Sequence, residues 1–396
     1  MPDNVSQIAD CVSRYAARLH GAIGAQHDVA SPLGAWLLLA LAGPASSGAS
    51  KETLIDVLGC DVDAAARAAA DLLAHPHPLV AGAAAVWTGR DAPLSPEFSE
   101  WRAQLPSEVT TGELPSQPDL DAWAREHTLG LIGGFPVPDR DVYLLLASAL
   151  ATKVSWQRPF ELAPAASLGP ASPWASELRQ VLRTPSGPTG AGHTQFIARS
   201  PEAGDVIVHM ASAVGGLAVV SVAAAPDVAY DRVLAAAYRI GVRLAAGLNA
   251  DRLALADVPL GEGPLWLVRE VTATADSAVA ILPAWSATSD HDLSAPALGF
   301  GAAKDALVPA PDPWQARQTA MARYTRTGFE AAAVSAMAVF AAMRQPGRHR
   351  EAELRFGHPY AVVALTTGGS EVGSPWHGLP VFSAWVSEPD DATQDG

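Results

Sequence analysis

Two histidines are the clearest candidates for metal chemistry in this sequence. His75 and His77 flank Pro76, a spacing at which two imidazoles could bind one metal ion. A protein zinc site needs three or four ligands, and no third ligand lies at a suitable spacing. A solvated loop beside a proline therefore explains the pair better, and we predict no metal and no other cofactor.

The motifs of common enzyme classes are absent from the sequence. It contains no G-x-G-x-x-G after a strand, no G-x-x-x-x-G-K-[ST], no H-E-x-x-H and no G-x-S-x-G. The serine-rich turn at 43–52 lacks the S-x-x-K spacing that would place a lysine one helical turn from a nucleophile. We interpret His127, His209 and His358 as structural polar residues rather than catalytic bases. Because no nucleophile, base and orienting residue can be combined, we predict that the protein is not an enzyme.

The chain is acidic and rich in apolar residues. Its 396 residues carry 26 Lys and Arg against 41 Asp and Glu, a formal net charge of −15, and 49% are hydrophobic. A nucleic-acid-binding surface needs clustered cations, so we predict no nucleic-acid partner. The hydrophobic fraction is enough for a sizeable core. Cys11 and Cys60 could form one disulfide, but the sequence indicates no disulfide framework.

No targeting or membrane segment is visible. The first 25 residues lack the charged start and apolar core of a secretory signal. The apolar run at 32–45 is too short to span a bilayer and is typical of a buried helix. We therefore expect a cytoplasmic protein with no membrane partner, although export by another route stays open. We also expect a monomer.

Periodicity and turn residues predict helices mainly in the first third of the chain and strands mainly after it. We predict an α+β fold and a single domain over 1–396 rather than alternating βαβ units. The third predicted helix has Ser50 as its N-cap and Gly59 at its end. The predicted helices cover 5–25, 33–42, 49–59, 62–75 and 120–130. The predicted strands cover 142–150, 205–211, 216–225, 269–275, 277–285, 360–367 and 379–387.

One segment, 325–347, combines a single acid with a long run of small and apolar residues. The acid is Glu330, and the run ends at Pro346 and Gly347. Alanine and methionine are good helix formers, so the composition alone favours a helix. The segment also has no proline between 325 and 345, and small residues alternate on both faces of a possible strand. A strand that enters an existing sheet therefore remains the alternative.

Six separated stretches resemble the conserved motifs of the serpin superfamily, in the same order and with similar spacing. Together they cover the chain from about residue 28 to 389. Three lie in the first half: 28–59 through Ser31, Pro32 and Thr53; 121–132 through Trp123, Thr128, Gly130 and Ile132; and 147–160 through Ala149, Leu150, Lys153, Trp156 and Phe160. The others are 279–299, with its L-P and D-L…L-G residues, 356–365 with its H-P, and 380–389. The similarity identifies the chain as a divergent, bacterial-type serpin.

The resemblance places 325–347 where serpins carry their hinge and reactive loop, which here would cover about 325–350. It implies helices packed around three β-sheets, with this loop exposed. It also implies an inhibitor of a serine protease, or alternatively of a cysteine protease, that is cleaved in the loop, traps the acyl-enzyme and inserts the loop into the central sheet. The native fold would then be metastable. The hinge would comprise Gly328, Phe329, Glu330, Ala331, Ala332, Ala333 and Val334.

The bond that the protease would cut has three candidates. The usual spacing from the hinge leads to Ala342-Met343, whereas the length of this loop leaves Met343-Arg344 and Arg344-Gln345 open. Alanine or methionine before the cut would suit an elastase-, subtilisin- or chymotrypsin-like protease. Arg344 would suit a trypsin-like pocket, but an ordinary solvated loop cation is an equally good interpretation.

Several positions depart from the family pattern. The resemblance implies that Ser31, Ser148, Lys153, Trp156 and Gln318 form the breach and shutter, which control the opening of the sheet. Ser148 replaces the usual asparagine there, Gln318 lies near the usual histidine, and Gly34 replaces a serine. In the hinge, Phe329 replaces a threonine or serine and Arg326 replaces a glutamate. The alternative to an inhibitor is therefore a non-inhibitory serpin-fold binding protein whose loop does not insert.

Overall fold

The computed structural model describes residues 2–90, 92, 94–137, 142–152, 154–185, 192–308, 313–328, 346–367 and 374–393. Within these ranges the helices are α1 (Pro2–Ile23), α2 (Pro32–Ala42), α3 (Gly48–Leu58), α4 (Val62–Ala74), α5 (Pro96–Ala103), α6 (Gln117–His127), α7 (Trp174–Glu177), α8 (Tyr230–Ala245) and α9 (Phe300–Leu307). The five predicted helices are confirmed as α1 to α4 and α6.

The boundaries of α3 correct one prediction. Ser47, not Ser50, holds the extended N-cap conformation, so the helix begins one turn earlier than its sequence suggested. The predicted end is confirmed, because Gly59 lies in the left-handed region that closes many helices.

The same ranges contain the strands of the fold. They are β1 (Asp28–Ala30), β2 (Val80–Thr88), β3 (Thr110–Glu113), β4 (Leu144–Thr152), β5 (Glu161–Pro164), β6 (Gln180–Arg183), β7 (His193–Ser200), β8 (Gly204–Ser212), β9 (Leu217–Ala223), β10 (Gly261–Glu262), β11 (Trp266–Ala273), β12 (Ser277–Leu282), β13 (Trp285–Asp292), β14 (Trp314–Tyr324), β15 (Gly347–Arg355), β16 (Tyr360–Thr366) and β17 (Pro380–Val386). The predicted strands are confirmed with one correction. The strand predicted at 277–285 breaks at Pro283, and its two parts, β12 and β13, belong to different sheets.

The described strands form three sheets, which confirms the predicted α+β class. Sheet A has the order β13-β14-β4-β2-β3, sheet B the order β1-β17-β16-β9-β8-β7, and sheet C the order β10-β11-β15-β12-β6-β5. Helix α8 packs on one face of sheet B. The largest core cluster joins α1, α2 and α3 to sheets A and B.

Sheet A is covered on both faces at its centre. All nine residues of β4 are buried. Helix α6 covers one face, where Trp123 packs edge-on against Trp87 of β2 with ring centroids 5.0 Å apart. Helix α2 lies on the other side and is buried along its whole length. A helix that is apolar on every side is stable only in such a position.

In the ranges given above, no helix combines the length and apolar character needed to cross a membrane.

Candidate functional site

The centre of sheet A is a parallel pair of strands, β4 and β14. Their register runs from Trp314 opposite Leu144 to Ala320 opposite Leu150. Both strands point the same way, so a strand placed between them and running back from the end of β14 would be antiparallel to both. It would replace one parallel ladder by two antiparallel ladders, which are slightly more stable per residue.

The chain leaves β14 in a turn that already reverses its direction. Within this turn, the backbone N–H of Thr325 donates to the carbonyl oxygen of Gly328 at 3.2 Å, and its hydroxyl donates to the same oxygen at 2.6 Å. Gly328 then pairs with Ser155, just beyond β4, in an antiparallel bridge. At Gly328 the chain therefore runs antiparallel to the segment that follows β4.

Only glycine fits at position 328. Its φ of +142° is unfavourable for other residues, and a Cβ there would lie 2.1 Å from the carbonyl oxygen of Val154. The hinge glycine is therefore required by a close backbone approach. The signal in the sequence was its place in the hinge motif, since the composition alone did not distinguish it from the other glycines.

The segment after β4 holds this turn in place. The backbone N–H of Trp156 donates to Thr327 O at 3.0 Å, and the backbone N–H of Phe160 donates to Arg326 O at 2.9 Å. The indole Nε1 of Trp156 donates to Thr325 O at 3.0 Å. Trp156 is buried, and its ring centroid lies 5.0 Å from that of Tyr324, the last residue of β14. The structure therefore places Trp156 at the junction where the loop begins.

Two buried histidines lie behind this junction. The ring centroids of His193 and His209 are 5.3 Å apart, and Phe160 packs 4.5 Å from His193. His193 Nε2 lies 2.7 Å from the carbonyl oxygen of Arg158 and must therefore donate to it, which leaves Nδ1 to accept from His209 Nε2 at 3.1 Å. His209 Nδ1 then accepts from the Tyr324 hydroxyl at 3.4 Å. Each of these donors has an acceptor only when both imidazole rings are neutral.

Burial keeps these histidines uncharged. Desolvation lowers the pKa of His193 to about 4 and that of His209 well below its ordinary value. His209 is thus a structural polar residue, as the sequence indicated. Its partnership with His193 was not foreseen, because 16 residues separate the two and only the β7–β8 pairing brings them together.

A second cluster joins β4, β14 and the start of α2. The side-chain amide of Gln318 binds the backbone of Ser31 twice: its oxygen accepts from Ser31 N at 2.8 Å and its nitrogen donates to Ser31 O at 2.8 Å. The same nitrogen lies 3.2 Å from the hydroxyl of Ser148. The hydroxyl of Ser31 donates to Val381 O at 2.8 Å and accepts from Gly34 N at 3.0 Å. The structure thus brings together Ser31, Ser148 and Gln318, three of the residues named from the sequence.

Gly34 provides the space for this cluster. A Cβ on Gly34 would lie 3.2 Å from both Gln318 Nε2 and Ser148 Oγ and 3.3 Å from Ser31 Oγ. The glycine and the glutamine therefore fit each other, since the amide occupies the room that a side chain at 34 would need.

The chain beyond the loop is fixed in sheet C. Strand β15 pairs with β11 on one side over eight residues and with β12 on the other over five. Arg269 on β11 lies 2.8 Å from Glu351 and 3.2 Å from Glu353 on β15. The guanidinium of Arg350 donates to the carbonyl oxygens of Leu255 and Val258. Both ends of the 325–347 segment are therefore anchored, one in sheet A and one in sheet C.

Several predicted site residues cannot be placed. Of the hinge, Gly328 is described. The others lie outside the described residues: Phe329, Glu330, Ala331, Ala332, Ala333 and Val334 of the hinge, the bond candidates Ala342, Met343 and Arg344, and Lys153. His75 and His77 are described, and within the described ranges no three His, Cys, Asp or Glu side chains group in a way that could hold a metal ion.

Comparisons with known proteins identify the fold. No family model matches the chain, and no curated protein matches it. Solved structures do match over almost its whole length, and three of these structures follow. They are a thermophilic serpin, tengpin, in its native state (13% identity, TM-score 0.66, 97% of this chain and 94% of that chain); human thyroxine-binding globulin (13%, 0.66, 98% and 100%); and human glycosylated kallistatin (15%, 0.62, 98% and 97%). The chain therefore has the serpin fold, as its motifs indicated.

Proposed function

We propose that this serpin-fold protein inhibits a protease by a single turnover that ends with the loop inserted in sheet A. The observation that carries the proposal is the parallel β4–β14 pair, together with a turn at 325–328 that reverses the chain and pairs Gly328 with Ser155 just beyond β4. The target would be a serine protease, or alternatively a cysteine protease, whose nucleophile attacks a loop carbonyl carbon and forms an acyl-enzyme.

The composition of the loop suits insertion. The segment from Phe329 to Ala341 carries mostly small side chains and no proline, so every backbone N–H can join a ladder. β4 is buried on both faces, and bulky additions to such a packed site cost about 1–3 kcal/mol each. Phe329, Met337 and Phe340 are the bulky exceptions. Phe329 would enter the sheet first and would slow that step, which favours hydrolysis of the acyl-enzyme over trapping.

The sheet would open between Ser148 and Gln318. Gln318 is held by two bonds of 2.8 Å to Ser31 but by one of 3.2 Å to Ser148. A single neutral hydrogen bond contributes about 1 kcal/mol, so β4 and β14 would separate most easily at the weaker contact. On this view β14 and α2 remain together while β4 moves away with β2 and β3.

Cleavage would release only one end of the loop. The part before the cut is continuous with the turn at 325–328 and is free to enter sheet A. The part after the cut remains with β15, which is paired on both sides. The two new ends would therefore move apart, and an acyl-linked protease would be carried away from the leaving group that could reverse the reaction.

The test uses elastase-, subtilisin- and trypsin-like proteases with the full chain and with Ala332→Pro. Wild type should form an SDS-resistant adduct with one of them. The proline removes a ladder donor, so the variant should be cut at the same bond without forming the adduct. Cleavage of wild type with no adduct under any condition would overturn the proposal.

A second function, ligand carriage, is favoured by one observation. A cleft of 1060 Å³ lies between α1 and α8, large enough for a drug-sized ligand. It is lined by alanines, by Tyr230 and Tyr238, and by charged residues of both signs: Arg14, Arg232, Arg239 and Arg243 with Asp10, Glu202 and Asp231. One similar structure is a thyroxine-binding globulin crystallised with thyroxine. The arginines only slightly outnumber the acids, and Arg239 is paired with Glu202 and Asp251. The apolar and aromatic part of the lining therefore suits an aromatic ligand with a single anionic group.

An anionic aromatic dye tests this second function. The dye should bind to the wild type, and Ala17→Trp, which fills the cleft, should weaken its binding at least about tenfold. Equal binding by wild type and variant, or no binding at all, excludes the cleft as the carrier site.

A further inference from the structure

The two cysteines of the chain lie side by side. Cys11 is on α1 and is fully buried, whereas Cys60 directly follows the end of α3 and is partly exposed. Cys11 Sγ lies 3.4 Å from the carbonyl oxygen of Gly59, the residue directly before Cys60, although 49 positions separate the two cysteines in the sequence. Both are free thiols in this structure.

The surroundings of Cys11 favour a thiolate. Its Sγ lies 3.4 Å from the carbonyl oxygen of Gly59, and Arg14 Nη2 donates to this sulfur at 3.4 Å and to Gly59 O at 3.0 Å. The hydrogen bond from Cys60, assisted by Arg14, lowers the pKa of Cys11 to about 6. The same hydrogen bond and burial raise the pKa of Cys60, so the pair shares one proton.

Cys60 is reachable from solvent. It lines an open cavity of 580 Å³ together with Gly59 and the apolar side chains of Ile55 and Val57. The charged groups around this cavity are Arg14, Arg18, Asp56 and Asp61. Arg18 is paired with Asp56 at 2.9 Å. The cavity exceeds the size of a single water site and can admit a small molecule.

We propose that Cys60 is a redox-modification site, at which a small-molecule disulfide of the glutathione class forms a mixed disulfide that Cys11 resolves into a Cys11–Cys60 disulfide. The partly exposed thiol reacts first because the oxidant can reach it. The buried thiol reacts second because it is already adjacent.

The steps balance as ordinary thiol–disulfide exchange. Cys60 first passes the shared proton to the Cys11 thiolate. The resulting Cys60 thiolate attacks one sulfur of the oxidant RSSR, its S–S bond breaks, and RS⁻ leaves with the proton from Cys11. The Cys11 thiolate then attacks the Cys60 sulfur of the mixed disulfide and expels the second RS⁻. The shared proton of the pair ends on one RSH, solvent supplies the proton of the other, the protein loses two electrons, and the oxidant gains them.

The cross-link would join α1 to the connection between α3 and α4. It would close a loop of the unfolded chain that spans Cys11 to Cys60 and so restrict the unfolded state. We therefore expect the oxidised protein to melt about 5 °C or more above the reduced protein. This effect does not depend on insertion of the loop into sheet A, so it holds whether or not the protein inhibits a protease.

The test incubates the full chain with oxidised glutathione under native conditions and compares wild type, Cys11→Ser and Cys60→Ser by intact mass. Wild type should lose two hydrogens, and peptide mapping should link Cys11 to Cys60. Cys11→Ser should stop at one stable glutathione adduct on Cys60. Cys60→Ser should remain unmodified, because Cys11 is buried.

Three results would overturn the proposal. Wild type and Cys11→Ser could give the same stable adduct, which would show that Cys11 does not resolve it. Cys60→Ser could be modified as fast as wild type, which would remove Cys60 as the first site. Wild type could also keep two thiols that react with an alkylating agent after the incubation. A melting-temperature difference between oxidised and reduced wild type, absent in both variants, provides the independent readout.

Discussion

Gln318 on β14 and Ser148 on β4 face each other in register, and the amide nitrogen of Gln318 lies 3.2 Å from the Ser148 hydroxyl. The same amide binds both backbone groups of Ser31 at 2.8 Å. One neutral side chain therefore joins the central strands of sheet A to the start of the buried helix α2. Because the bond across the two strands is the weakest of the three, the cluster can divide without losing its attachment to α2.

Replacing Gln318 with leucine should be far more harmful than replacing Ser148 with alanine. Gln318→Leu leaves the N–H of Ser31 buried without its partner and removes one of the two bonds to Ser31 O, which keeps the bond from Ala35 N at 3.2 Å. We expect this to cost about 2–3 kcal/mol, whereas Ser148→Ala removes one weak acceptor, at about 1 kcal/mol. Urea-induced unfolding of both variants measures the difference. Equal losses would mean that the amide does not hold α2 to the sheet.

Gly328→Ala should disrupt the turn at the start of the loop. The added Cβ would collide with the carbonyl oxygen of Val154, so we expect a loss of at least about 2 kcal/mol and failure to form a protease adduct. Gly347→Ala, at the other end of the loop, is the matched control. A Cβ there meets nothing nearer than 3.7 Å, so its stability should change by less than about 0.5 kcal/mol. Similar losses in both variants would contradict the close approach at 328.

Gly34→Ala should crowd the cluster around Gln318 and destabilise the protein. Its Cβ would press on three polar atoms at 3.2–3.3 Å, and we expect a loss of about 1–2 kcal/mol. Gly301→Ala, near the start of α9 with open space around it, should instead stabilise the protein by about 0.5 kcal/mol. Thermal unfolding of the two variants should therefore shift in opposite directions; a shift in the same direction would show that Gly34 is not confined.

Acid should destabilise the protein through His193 and His209. Burial lowers the pKa of His193 to about 4, while the unfolded residue titrates near 6.5, so the unfolded state alone gains a proton between these values. Stability from this residue is complete above pH 6.5 and falls as the pH drops toward 4, by about 3 kcal/mol in total. His193→Gln should reduce the slope of unfolding free energy against pH over this interval. An unchanged slope would show that His193 does not stay neutral in the fold.

Cleavage between residues 340 and 346 should raise the melting temperature. Insertion would add a strand to the middle of sheet A and complete two ladders, so the cleaved protein should lie lower in free energy than the native one. Calorimetry before and after limited proteolysis measures the change. A cleaved protein that melts at or below the native temperature would exclude loop insertion and leave ligand carriage as the better function.

Strong local signals in the sequence located much of the fold. The apolar helix after Ser31 and Pro32 and four strands of sheet B (β8, β9, β16 and β17) have unambiguous composition, and all were predicted. β2 and β14 were missed, since "VAGAAAVWT" and "WQARQTAMARY" are rich in residues that also form helices. Tertiary packing decides whether such sequences form a helix or a strand. Here both segments pair with β4 and are therefore strands.

The candidate site was found through order and spacing rather than through chemistry. Ser31, Ser148 and Gln318 are 117 and 170 positions apart along the chain, and only the motif register indicated that they meet. Their hydrogen bonds could not be predicted, because the side-chain amide of Gln318 lies near the position where the family pattern has a histidine. The His193–His209 pair carried no motif at all and depends on the register of one hairpin.

The position of β15 affects the lifetime of the native protein before its uncleaved loop could insert. A strand at the border of a sheet can peel away after losing one row of hydrogen bonds, but β15 is enclosed by β11 and β12 and would have to break two rows at once. An intact loop could gain the slack to enter sheet A fully only if β15 detached. If the native fold is metastable, the pairing of β15 with β11 raises the barrier to insertion of the intact loop. Cleavage by a protease is then the remaining route to insertion.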